Sequence, residues 1–166
     1  MNIIWGILIF VIIQRIGELV YASRNTNWLL SKGAVEAGSS HYYLFPLLHG
    51  AWIVTIVLWV YSNNLEAIWS EFFLVYCLLQ LLRVWIFISL GRRWTTRIII
   101  LPRKPLISSG PYRFLKHPNY VLVWVEVAVF PLIFGAWHIA LAFTLLNTLL
   151  LMHRIRVENS ALKQNL

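Results

Sequence analysis

The chain has no aspartate, one cysteine and six acidic residues, all glutamate, against fourteen lysines and arginines in 166 residues. A lone thiol, Cys77, cannot close an internal disulfide, and no Cys/His spacing fits a zinc site. Because Cys77 falls inside an apolar run, it is expected to be a small packing residue. No G-x-G-x-x-G follows a strand, which excludes the usual dinucleotide-binding fingerprint. The apolar N-terminus lacks a basic leader and an A-x-A-like cleavage site, so it is expected to be a retained helix. Repeats, low-complexity tracts and flexible linkers are also missing, which predicts a single domain over residues 1–166. Charged residues make up only 12% of the chain.

What fills the sequence is hydrocarbon. Hydrophobic residues make up 60%, and the mean hydropathy is +0.71, well outside the range of an ordinary soluble domain. Apolar runs of about 20 residues suit a bilayer crossing. They predict an all-α integral membrane protein of five transmembrane helices, over about 2–21, 42–61, 72–90, 120–134 and 139–155. Spans four and five are separated only by Gly135 to His138, so they are expected to form an antiparallel helical hairpin.

The net charge of +8 is distributed unevenly. Arg24 and Lys32 follow span one. Arg92, Arg93, Arg97, Arg103, Lys104, Arg113 and Lys116 follow span three, and Arg154, Arg156 and Lys163 lie in the tail. The connection after span two carries Glu66, with Glu71 at its end, and the hairpin tip has no Lys or Arg. In a five-span arrangement every basic cluster falls on one side, which predicts an outside N-terminus and a cytoplasmic C-terminus. Trp5, Trp69, Trp94 and Trp137 fall near span ends, where indole rings favour the headgroup zone. With no basic helix or stacking platform free of the apolar runs, nucleic acid is a poor partner. Membrane lipids with anionic headgroups and an anionic small molecule suit this charge better, and a homodimer is a further candidate assembly.

Between spans three and four, Thr95 to Leu101 is rich in β-branched residues and is expected to run extended along the interface. Pro102 and Pro105 bracket it, Ser108 to Pro111 is turn chemistry, and Tyr112 to Lys116 has room for one helical turn. His117-Pro118 then redirects the chain, with proline at a first helical turn where it costs no hydrogen bond. A polar, rigid, basic segment next to lipid-length spans must sit at the water boundary. His117, Asn119 and Tyr120 at a span mouth, with His153, Arg154 and Glu158 ending the next span, make a candidate site. Simple anchoring of His117 and Tyr120, snorkelling of His153, or an i,i+4 pair between Arg154 and Glu158 would be the bland alternatives.

Charges inside the spans cost about 2.5–3.5 kcal/mol each on insertion scales and call for partners. Arg15 and Glu18, three apart, can pair on one face. Arg83 and Glu126 have no partner in their own spans; they pair between helices, or one faces a substrate cavity.

Gly110-Pro-Tyr-Arg113, His117-Pro-Asn-Tyr120 and Arg154-x3-Glu158 together resemble the isoprenylcysteine carboxyl methyltransferase superfamily. Upstream, Glu18-Leu, Ala22, Arg24-Asn25, Trp28, Gly33-Ala, Glu36, Gly38, His41-Tyr42, Leu90-Gly, Trp94 and Arg97-Ile98 are similar to its short bacterial branch, which includes alkylpyrone O-methyltransferases. The resemblance covers nearly the whole chain. It implies S-adenosylmethionine (SAM) as methyl donor, held at the cytoplasmic ends of the last two helices, and a bacterial cell membrane as the location. By the same resemblance, Gly110, Tyr112, His117, Pro118 and Tyr120 line the cofactor pocket, and Arg154 and Glu158 close it. Many relatives carry two consecutive acidic residues where this chain has Glu158-Asn159.

The implied reaction is methyl transfer to a lipophilic carboxylate, enol or phenol, such as an alkylpyrone or an isoprenylcysteine-like compound. Arg154 or Arg83 is expected to orient the acceptor oxyanion and Glu158 to hold the ammonium group of SAM. His117 serves as a base only for a protonated acceptor. Arg83, Asn119 and Glu126 are the expected acceptor-side residues, and no metal is needed. Two other readings compete. One is an NADPH-dependent sterol-type membrane reductase, which shares a His-Pro-Asn-Tyr element but ordinarily extends further beyond it. The other is a non-catalytic basic membrane protein that binds anionic lipid.

Overall fold

The computed structural model describes residues 3–65 and 67–165. Asn2, at the start of the first expected span, and Glu66 lie outside the described residues. Among the described residues five α-helices follow one another: α1 (Ile3–Ser31), α2 (Leu44–Ser62), α3 (Ser70–Leu90), α4 (Pro118–Leu132) and α5 (Trp137–Asn165). Four stretches among the described residues, Ile3–Ser31, Ser39–Ser62, Ser70–Arg93 and Trp137–Gln164, are long and apolar enough to cross a membrane. The expected span at 120–134 is α4, a shorter apolar helix of 15 residues. At 1.5 Å per residue it spans only about 22 Å.

Helix ends depart from the hydropathy boundaries where polar residues continue the helix. The first helix runs ten residues past Tyr21, so Arg24 belongs to α1 rather than to a loop. Likewise α5 continues beyond Ile155 to Asn165 and carries Glu158 on a helical turn. Hydropathy marks where lipid ends, and hydrogen bonding decides where the helix ends.

The segment expected to be extended does form a strand, and it has a partner. Strand β2 (Ile98–Ile100) pairs antiparallel with β1 (Val35–Ala37), placing Val35 opposite Ile100 and Ala37 opposite Ile98. The single helical turn expected at Tyr112–Lys116 lies slightly earlier, as a 3-10 turn over Gly110–Arg113. His117 precedes α4 with non-helical backbone angles, and Pro118 takes the first helical position.

One end of the molecule joins α2 to α3 and α4 to α5. There the Trp69 amide donates to the Ile133 carbonyl at 2.9 Å, and Trp59 Nε1 donates to the Phe134 carbonyl at 3.0 Å. Gly135, at φ +65°, allows the tight reversal between α4 and α5. The opposite end gathers the β1–β2 ribbon, the 3-10 turn and the C-terminal half of α5. Ile98, Ile100 and Ala161 are buried together there. Between the two ends, Ile4, Trp52, Ile56, Phe130 and Ile133 belong to an apolar core built from several helices. Cys77 lies on the exposed face of α3 rather than in that core, while its neighbour Tyr76 on the same helix is buried in it.

Candidate active site at the ribbon end

A cavity of about 350 Å³ opens at the ribbon end, within the size range of small-molecule sites. Several structural units bring its walls together. The polar wall comes from the turn before α4, the start of α4, and the last turns of α5. Of the expected residues, Tyr112, His117, Asn119, Tyr120, Arg154 and Glu158 all line the cavity, although more than thirty positions separate the two groups in sequence. Another part of the wall is the β2 region with its flanking loop, from Trp94 to Ile107.

Tyr120 is the link between the helices. Its hydroxyl donates to Glu158 Oε2 and accepts from Arg154 Nε at 2.8 Å. Arg154 Nη2 donates to the Thr96 carbonyl at 2.7 Å, which ties α5 to the approach of β2. The guanidinium also lies 4.9 Å from the centre of the Phe45 ring and 5.3 Å from that of Tyr120, distances at which a cation is attracted to an aromatic face. Arg154 is thus buried, and oriented on several sides by protein groups. Glu158 and Arg154 lie four apart on α5, yet they meet through Tyr120 rather than as a direct ion pair.

His117 stacks on Tyr120, with ring centres 5.2 Å apart and planes 11° apart. Its Nδ1 is 3.7 Å from Glu158 Oε2, while Nε2 is buried without a hydrogen-bond partner. Burial, reinforced by the Glu158 carboxylate, pushes the Tyr112 phenol well above its ordinary pKa.

Gly110 and Pro118 act from behind the wall. Gly110 sits at φ +60°, and a Cβ there would come within 2.0 Å of Ser89 Oγ. Only glycine lets the turn close on α3 in this way. Pro118 is buried at the first turn of α4.

Arg83 and Glu126 are placed elsewhere. They pair with each other and with Arg15 and Glu18: Arg83 reaches Glu18 at 2.7 Å and Arg15 reaches Glu18 at 2.8 Å, while both arginines contact Glu126. Gln80 Nε2 adds a hydrogen bond to Glu126 at 3.1 Å, and Gln14 donates to Gln80 at 2.7 Å. The four charges sum to zero and lash α1, α3 and α4 together. Neither Arg83 nor Glu126 lines the cavity. Of the two arrangements open from sequence, pairing between helices is the one observed.

Three contributors were not picked out from sequence as site residues. The Thr96 carbonyl and the Phe45 ring both orient Arg154. Trp94, expected near a span end, directly follows the stretch Ser70–Arg93, is 3% exposed and lines the cavity. Its carbonyl accepts from Asn25 Nδ2 at 2.8 Å. A tryptophan followed by two threonines and an arginine gives no periodic signal of burial, so its place in the cavity wall was not legible.

The profile of the isoprenylcysteine carboxyl methyltransferase (ICMT) family matches residues 72–164, more than half of the chain. The chain is 33% identical over 162 residues to the uncharacterized protein YpbQ of Bacillus subtilis, covering 96% of each. It is 26% identical over 153 residues to an uncharacterized protein of Haemophilus influenzae, covering 89% of this chain and 88% of the relative. No solved structure matches.

Proposed function

From the premise that this chain belongs to the isoprenylcysteine carboxyl methyltransferase family, we propose that it is an integral-membrane, SAM-dependent O-methyltransferase of a lipophilic oxyanion. The single observation that carries the reading is the Tyr120–Arg154–Glu158 linkage on the wall of one cavity. In this reading α4 and α5 form a hairpin that reaches through the membrane, five helices cross it, and the ribbon end faces the cytoplasm. Trp59, Trp69 and the lysine- and arginine-free tip meet at the opposite end, as the distribution of positive charge requires.

The residues present suit the group. Glu158 offers a carboxylate to an ammonium, and Arg154 Nη1, with no hydrogen bond to the described residues, is free for an anion. The buried, unpaired His117 Nε2 needs a partner that the protein does not supply. Tyr112, His117 and Tyr120, backed by Gly110 and Pro118, form the cofactor wall in this proposal. SAM, when bound, supplies an electrophilic methyl group on a cationic sulfur.

The protein's own contribution is orientation and exclusion of water. Arg154 is held by Thr96, Tyr120 and Phe45, so it can meet an anionic oxygen with little loss of side-chain freedom. Arg93, Lys104 and Lys116 also line the cavity, giving it a surplus of positive charge over Glu158. Such a lining favours an acceptor that arrives ionised. Transfer to an oxyanion extinguishes charge, so an apolar wall of Leu29, Leu90 and Ile98 disfavours the separated ions more than the transition state. No general base is then required. For a protonated acceptor, this reading makes His117 the base. Asn119 belongs on the acceptor side, and Arg83 and Glu126 contribute by fixing α4.

Incubation of the purified protein with radiolabelled SAM and a lipid extract of its host tests the proposal. Label is expected in a lipid bearing a carboxylate, enol or phenol, and an alkylpyrone polyketide is the first candidate. Incorporation into no lipid, with NADPH bound instead of SAM, would point to the reductase reading.

A further inference from the structure

Arg154 is braced by a stretch that contributes nothing to the cavity lining, from Glu36 to Phe45. The motif Glu36, Gly38, His41-Tyr42 lies here, upstream of the residues matched by the family profile. Four side chains of the stretch reach just two short segments, residues 96–97 and 153–154. Glu36 pairs with Arg97 Nη1 at 3.0 and 3.1 Å. The His41 ring meets the His153 ring edge-on, 4.4 Å between centres. Phe45 faces the Arg154 guanidinium. Tyr42 touches both members of the first segment: its hydroxyl hydrogen-bonds with Thr96 Oγ1 at 2.9 Å, and its ring carries the Arg97 guanidinium at 4.6 Å.

Tyr42 is therefore one residue removed from Arg154. The Thr96 carbonyl accepts from Arg154 Nη2 at 2.7 Å, and the Thr96 side chain is bonded to Tyr42. Thr96 precedes the paired residues of the ribbon, so the bond to Tyr42 supplies a tie that strand pairing does not. On the other side Tyr120 accepts from Arg154 Nε. The guanidinium is thus set between two tyrosines, one acting directly and one through Thr96. Stacking on Arg97 would be served equally well by phenylalanine, so the Tyr42 hydroxyl is the part that acts on Thr96. Neither Tyr42 nor Thr96 lines the cavity, and an effect of their bond on a ligand has to pass through Arg154.

We propose that Tyr42 is a positioning residue for the methyl acceptor: through Thr96 it fixes the direction in which Arg154 presents its Nη1 edge. This rests on the methyltransferase reading of the cavity. A side chain held in its binding orientation beforehand gives up less freedom when the ligand arrives, so releasing it weakens the acceptor. The cofactor's ammonium is assigned to Glu158, which is bonded to Tyr120 and not to the Tyr42–Thr96 side. Cofactor affinity is therefore insensitive to Tyr42.

The test titrates host lipid extract into the purified protein with radiolabelled SAM, so that half-saturation and plateau rate are read separately. Tyr42→Phe keeps the ring and removes the hydroxyl; should it not fold, Thr96→Val deletes the same bond from the other end. Either variant should raise the half-saturating amount of extract about 3- to 10-fold, with plateau rate and S-adenosylhomocysteine affinity within about twofold of native. The double variant should be no worse than either single one, and Thr96→Ser, which retains the hydroxyl, should behave as native. A second readout needs no acceptor. With nitrogen-15 in the arginine side chains and Arg154→Lys for assignment, solvent exchange of the Arg154 Nε–H should quicken about 3- to 10-fold in Tyr42→Phe. Native half-saturation and exchange in Tyr42→Phe, additive losses in the double variant, or a parallel loss of S-adenosylhomocysteine affinity would each overturn the inference and leave the methyltransferase reading standing. If the native chain labels no lipid and binds no S-adenosylhomocysteine, the methyltransferase reading falls and the acceptor role of Tyr42 falls with it.

Discussion

Tyr120 donates to one charged side chain and accepts from another, and neither Glu158 nor Arg154 contacts the other directly. A phenylalanine at position 120 keeps the ring against His117 but removes both hydrogen bonds. Bonds to charged groups contribute about 1.5–3 kcal/mol each, so Tyr120→Phe should weaken SAM at least tenfold, read by isothermal titration. Unchanged affinity would show that Arg154 and Glu158 hold their positions without it. Gly110 gives a second residue-level test. Both its positive φ and the 2.0 Å approach to Ser89 oppose any side chain. Gly110→Ala should cost about 1–3 kcal/mol of stability and lower the thermal midpoint in detergent. At this scale the sequence was informative where residue chemistry is distinctive: His117, Tyr120, Arg154 and Glu158 were all selected, and all line one cavity. It was silent about Thr96 and Phe45. A backbone carbonyl and an apolar ring become site components only once folding brings Arg154 to them.

Among the elements, α4 is the one whose placement matters most, because it carries Tyr120 at its start and Glu126 two turns later. The charge quartet fixes α4 to α1 and α3, and α1 lies outside the stretch shared with the family profile. Breaking a buried pair by removing one partner costs about 3–5 kcal/mol, whereas replacing all members with apolar residues can be neutral. Glu126→Ala should therefore unfold far more readily in a denaturing-detergent titration than the variant in which Arg15, Glu18, Arg83 and Glu126 are all leucine or methionine. Equal stability of the two would remove the quartet as a clamp. Glu126→Gln separates clamp from site: loss of turnover with SAM affinity and stability intact would assign Glu126 to the acceptor after all. Sequence alone located each helix but not each helix end, since hydropathy does not register polar residues that go on hydrogen-bonding along α1 and α5. The pairing of Arg83 with Glu126 was equally out of reach, because helix rotation about its own axis is set by tertiary packing.

Over the whole molecule, one end is basic and holds the cavity, and the other joins α2 to α3 and α4 to α5. The proposed topology puts these ends in different compartments. With Cys77 replaced by serine, single cysteines at Asn63 and Ser160 should react with a membrane-impermeant maleimide from opposite sides, Asn63 from outside and Ser160 from the cytoplasm. Labelling of both from one side would exclude five crossings. The most direct measurement is isothermal titration of the purified protein with SAM, repeated on Glu158→Ala. Saturable binding by the native chain, lost at least a hundredfold in the variant, is the predicted result. NADPH binding in place of SAM, or equal SAM affinity in the two proteins, would contradict the account.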